Sequence, residues 1–438
     1  MAKDKEFTRL PGFRDFPPEE LRVRQHLFDT WRRVSRRYGF QEYDGPPLET
    51  LDLYTEKSGE EIVGQLYTFR DKGGRDVTLR PEMTPSLARI LAERSRALPK
   101  PIRWFSVPQL FRYERQQRGR LREHFQWNVD VVGEDGVGAD AEVLAVAIHG
   151  LKELGLTPRD VRARVSDRRL VSALLRSAGV PEEALLPTFG VIDKLEREDR
   201  ERSMERLRVE CGLGPGTAEE VLDLFETEGL EEVARTRGDD EEVSRLLEGL
   251  REYRDTLHGL GLGEYMDFDL KIVRGLAYYT GIVFEIFDAT GELRAVCGGG
   301  RYDRLLELVG GDPLPAVGFG MGDVVLTELL ADRDLLPSTE EEVDVALVAI
   351  TPELRPLMLE VAGSLRDGGM DVIYPLKPQS VRKQFSGASA RGARLVIVLG
   401  PEEVERGSAM VRSMATGEEN EVALDLLRRG EGVDVGEG

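Results

Sequence analysis

The chain has 438 residues, 40% of them hydrophobic, and its 60 basic and 81 acidic side chains give a formal net charge of -21. At roughly 100 to 200 residues per domain, that length implies two to four cores. The acidic balance argues against indiscriminate binding to nucleic acid or anionic membranes and leaves room only for a local basic groove.

Residues 18 to 40 carry a helical pattern, with Leu21, Val23, Leu27, Phe28, Trp31 and Val34 set among arginines. Pro46 and Pro47 then exclude helix and impose an extended run. A long strand hairpin is expected over 101 to 133, and a helix from Ala139 to Leu154 before the break at 155 to 158. From 165 to 262 the texture becomes charged and helical, with Leu170, Leu174, Leu175, Leu246, Leu247 and Leu250 at helical spacing, which reads as an inserted helical domain. Strand character resumes at 267 to 287 and passes the cluster Gly298, Gly299 and Gly300 before ending near Leu335 to Pro337. After a linker at 338 to 342, strands near 343 to 350, 370 to 374 and 395 to 399 alternate with helices at 352 to 368 and 378 to 391. That alternation predicts a mostly parallel three-layer α/β domain. The glycine- and acid-rich end, 429 to 438, is expected to be a flexible tail. Cys211 and Cys297 have no neighbouring cysteine or close histidine, so neither a disulfide framework nor a zinc site is expected. Without an apolar leader or an apolar run of ~18 residues, a soluble protein of the reducing cytoplasm is expected, with no membrane partner.

Two constellations carry chemistry. The octapeptide Arg274-Gly275-Leu276-Ala277-Tyr278-Tyr279-Thr280-Gly281 sets one guanidinium and two phenols between segments with period-2 alternation, which suits an anionic ligand with a polar ring. In the hairpin, Arg112 and Glu114 share a face, as do Gln126, Asn128 and Asp130, while Phe125, Trp127, Val129 and Val131 take the opposite one. The loop between them holds Arg115, Arg118, Arg120 and Arg122, a density suited to phosphates. Taken alone, each constellation is equally a solvated turn or a wetted sheet face.

These residues together resemble the histidyl-tRNA synthetase family of class II aminoacyl-tRNA synthetases over nearly the full length. Gly12-Phe13-Arg14-Asp15 with Pro46 is similar to the family's entry region and motif 1. Arg112, Glu114 and the arginine-rich loop resemble motif 2, Leu79 to Thr84 the amino-acid-binding loop, and Arg274 to Gly281 the histidine-specific peptide. The resemblance implies an α+β fold: an antiparallel six-stranded sheet flanked by helices (1-164 and 263-337), the helical insertion (165-262) and a C-terminal α/β anticodon-binding domain (343-428).

The activity implied is ATP-dependent ligation of L-histidine to tRNA(His) through a histidyl-adenylate, by a homodimer joined at motif 1. Arg112 and Arg274 would be catalytic, and with Glu114 would bind ATP; Mg2+ would arrive on the nucleotide without a dedicated protein site. Histidine would be held by Glu82, Thr84, Gln126, Asp130, Tyr278 and Tyr279, and the tRNA acceptor end by Gln117, Arg118 and Arg120. Two arginines at the α-phosphate suit a reaction catalysed by positioning and charge stabilisation. Two departures stand out. Gln116 replaces the proline usual in the motif 2 loop, and after Gly318-Phe319-Gly320-Met321-Gly322 the third motif's Glu-Arg pair is replaced by Val324 and Val325. Valine cannot act as a guanidinium, so either another arginine, Arg301 or Arg304, reaches the nucleotide, or ATP is held differently, or activity is lost. The alternative is a non-catalytic histidine-binding paralogue, such as the regulatory subunit of ATP phosphoribosyltransferase.

Overall fold

The computed structural model describes residues 7-55, 64-115, 117-227, 229-273, 279-291, 293-339 and 342-433. It divides into two compact units, 1-337 and 338-438. Six antiparallel strands form the centre of the first. In spatial order they are β5 (Ile102–Ser106), β7 (Glu123–Val132), β12 (Ala316–Gly322), β11 (Cys297–Arg301), β10 (Ile282–Asp288) and β8 (Val161–Asp167). The expected six-stranded sheet is thus present inside a larger one. β1 (Gln41–Glu42) extends it in parallel beside β5, and β9 (Met266–Phe268) beside β8.

The expected hairpin over 101 to 133 resolves into three strands. Val107 and Pro108 interrupt its first arm, so β5 pairs with the far half of β7 and the short β6 (Gln109–Phe111) with its start. The period-2 pattern sorts β7 as expected: Trp127, Val129 and Val131 are buried in the main core with the helices Pro18–Arg37 and Val137–Glu153. Trp127 stacks on Trp31 with centroids 5.9 Å apart and meets Phe319 edge-on at 5.0 Å. Gly150 makes that packing feasible, because a Cβ there would enter the Trp127 ring. The helix Pro18–Arg37 opens on proline with Glu19 and Glu20 in its first turn and closes with Arg36 and Arg37, the charge order that its dipole favours.

Six helices lie between Arg168 and Gly259 among the described residues, three of them capped by aspartates, Asp167, Asp199 and Asp240, that accept a backbone N–H of the first turn. Strand β8 runs across the expected boundary at 164/165, because Arg162 and Arg164 on it pair with Asp267 and Asp269 on the returning chain. The helices also share one continuous hydrophobic core with the sheet: Leu170, Leu174, Leu247 and Tyr253 belong to the same cluster as Trp127 and Phe284. A buried ion pair ties the sheet to its covering helix. Arg301 on β11 donates to Asp140, Nε to Oδ1 at 3.0 Å and Nη2 to Oδ2 at 2.6 Å, and to the carbonyl of Glu134 at 3.1 Å.

The second unit carries a sheet ordered β14 (Val372–Ile373), β13 (Val343–Ala349), β15 (Ala393–Leu399), β16 (Ser408–Ser413) and β17 (Glu419–Ala423). β13 runs parallel to both neighbours, as the alternation predicts, whereas β15 to β17 are antiparallel, so the sheet is mixed rather than mostly parallel. Residues 429 to 433 open the stretch expected as a tail. Val433 packs on the unit's core and the Glu431 N–H donates to the Leu426 carbonyl at 2.9 Å, while residues 434-438 lie outside the described residues. Residues 340 and 341 of the expected linker also lie outside them.

Removing one partner of a buried ion pair leaves the other charge without compensation. Asp140→Ala is therefore expected to destabilise the first unit by about 3–5 kcal/mol, read as a lower urea midpoint; a loss within measurement error would contradict the pairing.

Candidate active site

Glycines open a cleft on the sheet face opposite Trp127. Gly298, Gly320 and Gly322 floor a cavity of about 890 Å³, and a Cβ at Gly320 would stand 2.8 Å from the Gln126 amide carbon. Only bare backbone lets the β7 side chains lie across the neighbouring strand. Arg112, Glu114, Arg120 and Gln126, four of the residues singled out from sequence, line this cavity.

Arg112 follows β6, and its Nε donates to the Pro81 carbonyl at 3.0 Å, while the Phe111 N–H donates to the Arg80 carbonyl at 3.0 Å. The segment bearing Glu82 and Thr84 is thereby stitched to the Arg112 strand. Arg80 secures the same segment from inside: it is buried and donates to the carbonyl of Gln109 at 3.1 Å and to Asp44 at 2.9 Å. Glu82 is buried and Thr84 half-buried at the start of the helix Thr84–Arg94, where Pro85 suits the first turn.

Asp130 shares the Gln126 face but lies deeper, 5% exposed, where the Tyr302 hydroxyl donates to it. Tyr279 meets the Tyr302 ring edge-on at 6.4 Å, so Asp130, Tyr302 and Tyr279 form one aromatic and acidic nook. Burial pushes the Asp130 carboxyl up to about 7, with the Tyr302 hydroxyl opposing the shift. Arg274 and Tyr278 lie outside the described residues, although Val273 and Tyr279 on either side of that segment are both buried.

The loop residues hold intramolecular partners. Arg120 pairs with Glu114, Arg118 reaches Glu328 at 3.3 Å and Asp332 at 3.0 Å, and Gln117 accepts from Arg294. Gln116 lies outside the described residues. Neither Arg301 nor Arg304 lines the cavity: Arg301 is paired with the buried Asp140, and the solvent-exposed Arg304 lies beside Glu307.

His124, Arg197, Glu285 and Arg294 line the cavity and were not anticipated. His124 was within reach of sequence reasoning, since it has the same parity as Gln126 and Asp130 on β7. Burial, then Arg112, Arg14 and Arg120 in that order, push its imidazole down to about 3, so it is a neutral ring at pH 7. The pocket thus combines fixed cations, a neutral aromatic nitrogen heterocycle, a glycine floor and a buried acid, equipment for a phosphorylated ligand beside a small polar one.

Comparison with known proteins agrees with that chemistry. Residues 12–323 match the family model for histidyl-tRNA synthetase and residues 344–429 that for the anticodon binding domain. The chain is 42% identical to the chloroplastic/mitochondrial histidine–tRNA ligase of Arabidopsis thaliana, covering 95% of this chain and 85% of that protein. It is 41% identical to the histidine–tRNA ligase of Opitutus terrae, covering 96% and 97% respectively. The crystal structure of histidyl-tRNA synthetase from Nostoc sp. PCC 7120 superimposes with a TM-score of 0.81 at 26% identity, over 97% of this chain and 99% of that one.

The raised Asp130 value has a consequence for stability. Aspartate in an unfolded chain ionises near 4, so the buried group favours folding at low pH and loses that contribution as pH rises through about 7. Asp130→Asn is expected to gain stability relative to the parent chain between pH 5 and pH 8, measured by denaturant unfolding at each pH. A difference independent of pH would refute the assignment.

Proposed function

The chain belongs to the histidyl-tRNA synthetase family, and on that premise we propose that it ligates L-histidine to tRNA(His) with ATP, through a histidyl-adenylate. The carrying observation is the placement of Arg112 and Gln126 in one glycine-floored cavity, with Arg112 tied to the segment bearing Glu82 and Thr84. In this reading the histidine carboxylate attacks the α-phosphate and pyrophosphate leaves. Arg112 and Arg274 stabilise the charge that builds on the transferring phosphate, while Glu114 binds the nucleotide.

Glu82, Thr84 and Gln126 accept the α-ammonium, and Tyr278 lines the same pocket. Asp130 and Tyr279 offer hydrogen bonds to the two ring nitrogens. A site built on such bonds rejects analogues lacking them by ~10⁴-fold or more. Mg2+ enters on the triphosphate, where Glu114 and Glu285 are the carboxylates of the cavity wall. The ion would neutralise phosphate charge.

For the transfer step, Gln117, Arg118 and Arg120 meet the tRNA acceptor end. Arg118 and Arg120 then exchange their carboxylate partners for phosphates. The second unit binds the anticodon, a role supported by the family match over 344–429. The regulatory-subunit alternative is not favoured, since the relatives at about 40% identity are histidine–tRNA ligases. No helix among the described residues is long and apolar enough to cross a membrane, and we place the enzyme in the cytoplasm.

We further propose a homodimer through the motif 1 region, supported by the exposed apolar side chains Phe7, Leu10 and Leu48 in this part of the chain. Sedimentation equilibrium is expected to return twice the mass of one chain, and a monomer at micromolar concentration would sink the assembly.

The catalytic reading is tested by exchange of labelled pyrophosphate into ATP. Exchange is expected with histidine and with no other amino acid, and Arg274→Ala is expected to abolish it while leaving histidine binding within about threefold. Tight histidine binding without exchange in the parent chain would instead favour the regulatory alternative.

A further inference from the structure

Val325 stands where the family resemblance implies an arginine packed against ATP, and the structure shows what the valine does instead. Its side chain is 9% exposed on the cavity wall beneath the hairpin loop, where a Cβ at Gly119 would stand 3.1 Å from its γ-methyl. The Gly119 N–H donates to Glu328 at 3.0 Å, one turn further along the same helix. The helix Asp323–Asp332 therefore offers the cavity an apolar step from Val324 and Val325, and no cation.

The triphosphate still needs one. Arg301 and Arg304 are excluded by their positions, which leaves Arg112, Arg120, Arg197 and Arg294 on the cavity wall. Arg112 is committed to the α-phosphate and Arg120 is paired with Glu114. Arg197 projects from a turn of the helical insertion, with Glu196 and Glu198 adjacent in sequence.

Arg294 differs from these three. It sits on the connection between β10 and β11, between the buried Leu293 and Val296, and the Val296 N–H donates to the Ile286 carbonyl at 2.8 Å. Its guanidinium donates to the side-chain oxygen of Gln117 on the loop across the cavity mouth. Among the described residues it makes no ion pair. A neutral acceptor thus orients the guanidinium, and no ion pair with a described residue holds its charge, the state in which it binds phosphate best.

We propose that Arg294 is the nucleotide-binding cation of this chain, meeting the β- and γ-phosphates of ATP from the strand side of the cavity in place of the missing arginine at position 325. The assignment rests on the synthetase reading above and adds a residue which that reading does not contain. A helix without its cation and a connection that carries one then describe a single rearranged phosphate site.

The test compares ATP with AMP, which lacks the two outer phosphates. By calorimetry, Arg294→Ala is expected to weaken ATP binding about tenfold or more, with AMP binding within about twofold. In pyrophosphate exchange it raises KM for ATP similarly and leaves KM for histidine unchanged. Val325→Arg added to Arg294→Ala is expected to restore part of the ATP affinity. Arg197→Ala should stay within about threefold of the parent chain.

Equal loss of ATP and AMP, no loss of either, or the full effect from Arg197→Ala would each overturn the proposal. An unchanged unfolding midpoint for Arg294→Ala excludes misfolding as the cause of a loss. Absence of exchange in the parent chain would sink the synthetase reading alone, because the nucleotide comparison still decides Arg294.

Discussion

The absence of side chains along one face of two adjacent strands is the constraint on which the site depends. Gly298 on β11, with Gly320 and Gly322 on β12, presents backbone to the cleft; Gly300 and Gly318 share those faces, and a Cβ at Gly318 would collide with both Asp130 and the Tyr302 hydroxyl. Such strands have little intrinsic stability. The opposite face compensates, since Val317, Phe319 and Met321 alternate with those glycines and are buried in the main core. One strand thus serves two solvents: a packed apolar layer on one side and a carved polar cleft on the other.

A three-residue charge network holds the cleft's outer corner. Arg14 donates to Glu123 at 2.7 Å and reaches Asp323 at 2.9 Å; Glu123 also accepts from Gln109 at 3.0 Å, and Asp323 from the Phe125 N–H at 2.9 Å. The entry segment, both strands of the hairpin and the helix after β12 meet there. Asp323 opens the stretch in which the resemblance implies the third motif. In this chain the stretch is structural, supplying a buried anion and, two residues later, an apolar support for the loop.

Much of the fold could be read from period alone. The face bearing Gln126 and Asp130 followed from alternation on β7, and the α/β order of the second unit from its apolar runs. The alternation at 267 to 272 misled, because Asp267 and Asp269 are placed by Arg162 and Arg164 rather than by a long pleat. Asp269 accepts from the Lys271 N–H at 3.0 Å and turns the chain after a three-residue strand. Arg294, Arg197 and Glu285 were invisible because they reach the cavity through strand order and tertiary packing, which local sequence does not encode. The antiparallel strands at 408 to 413 and 419 to 423 were missed for a related reason: their outer faces are polar, and no long apolar run marks them.

The strand order also sets a timetable for synthesis. β7 finds β5 already made when it emerges, but its other edge waits for β12, about 180 residues later. At roughly 5–20 residues per second, the central strand has an unpaired edge for on the order of ten seconds or more. During that interval the six insertion helices emerge, and their share of the common core can cover the apolar face of the half-built sheet. The polar cleft closes last within this unit, when the glycine strand arrives, and the second unit is made only afterwards.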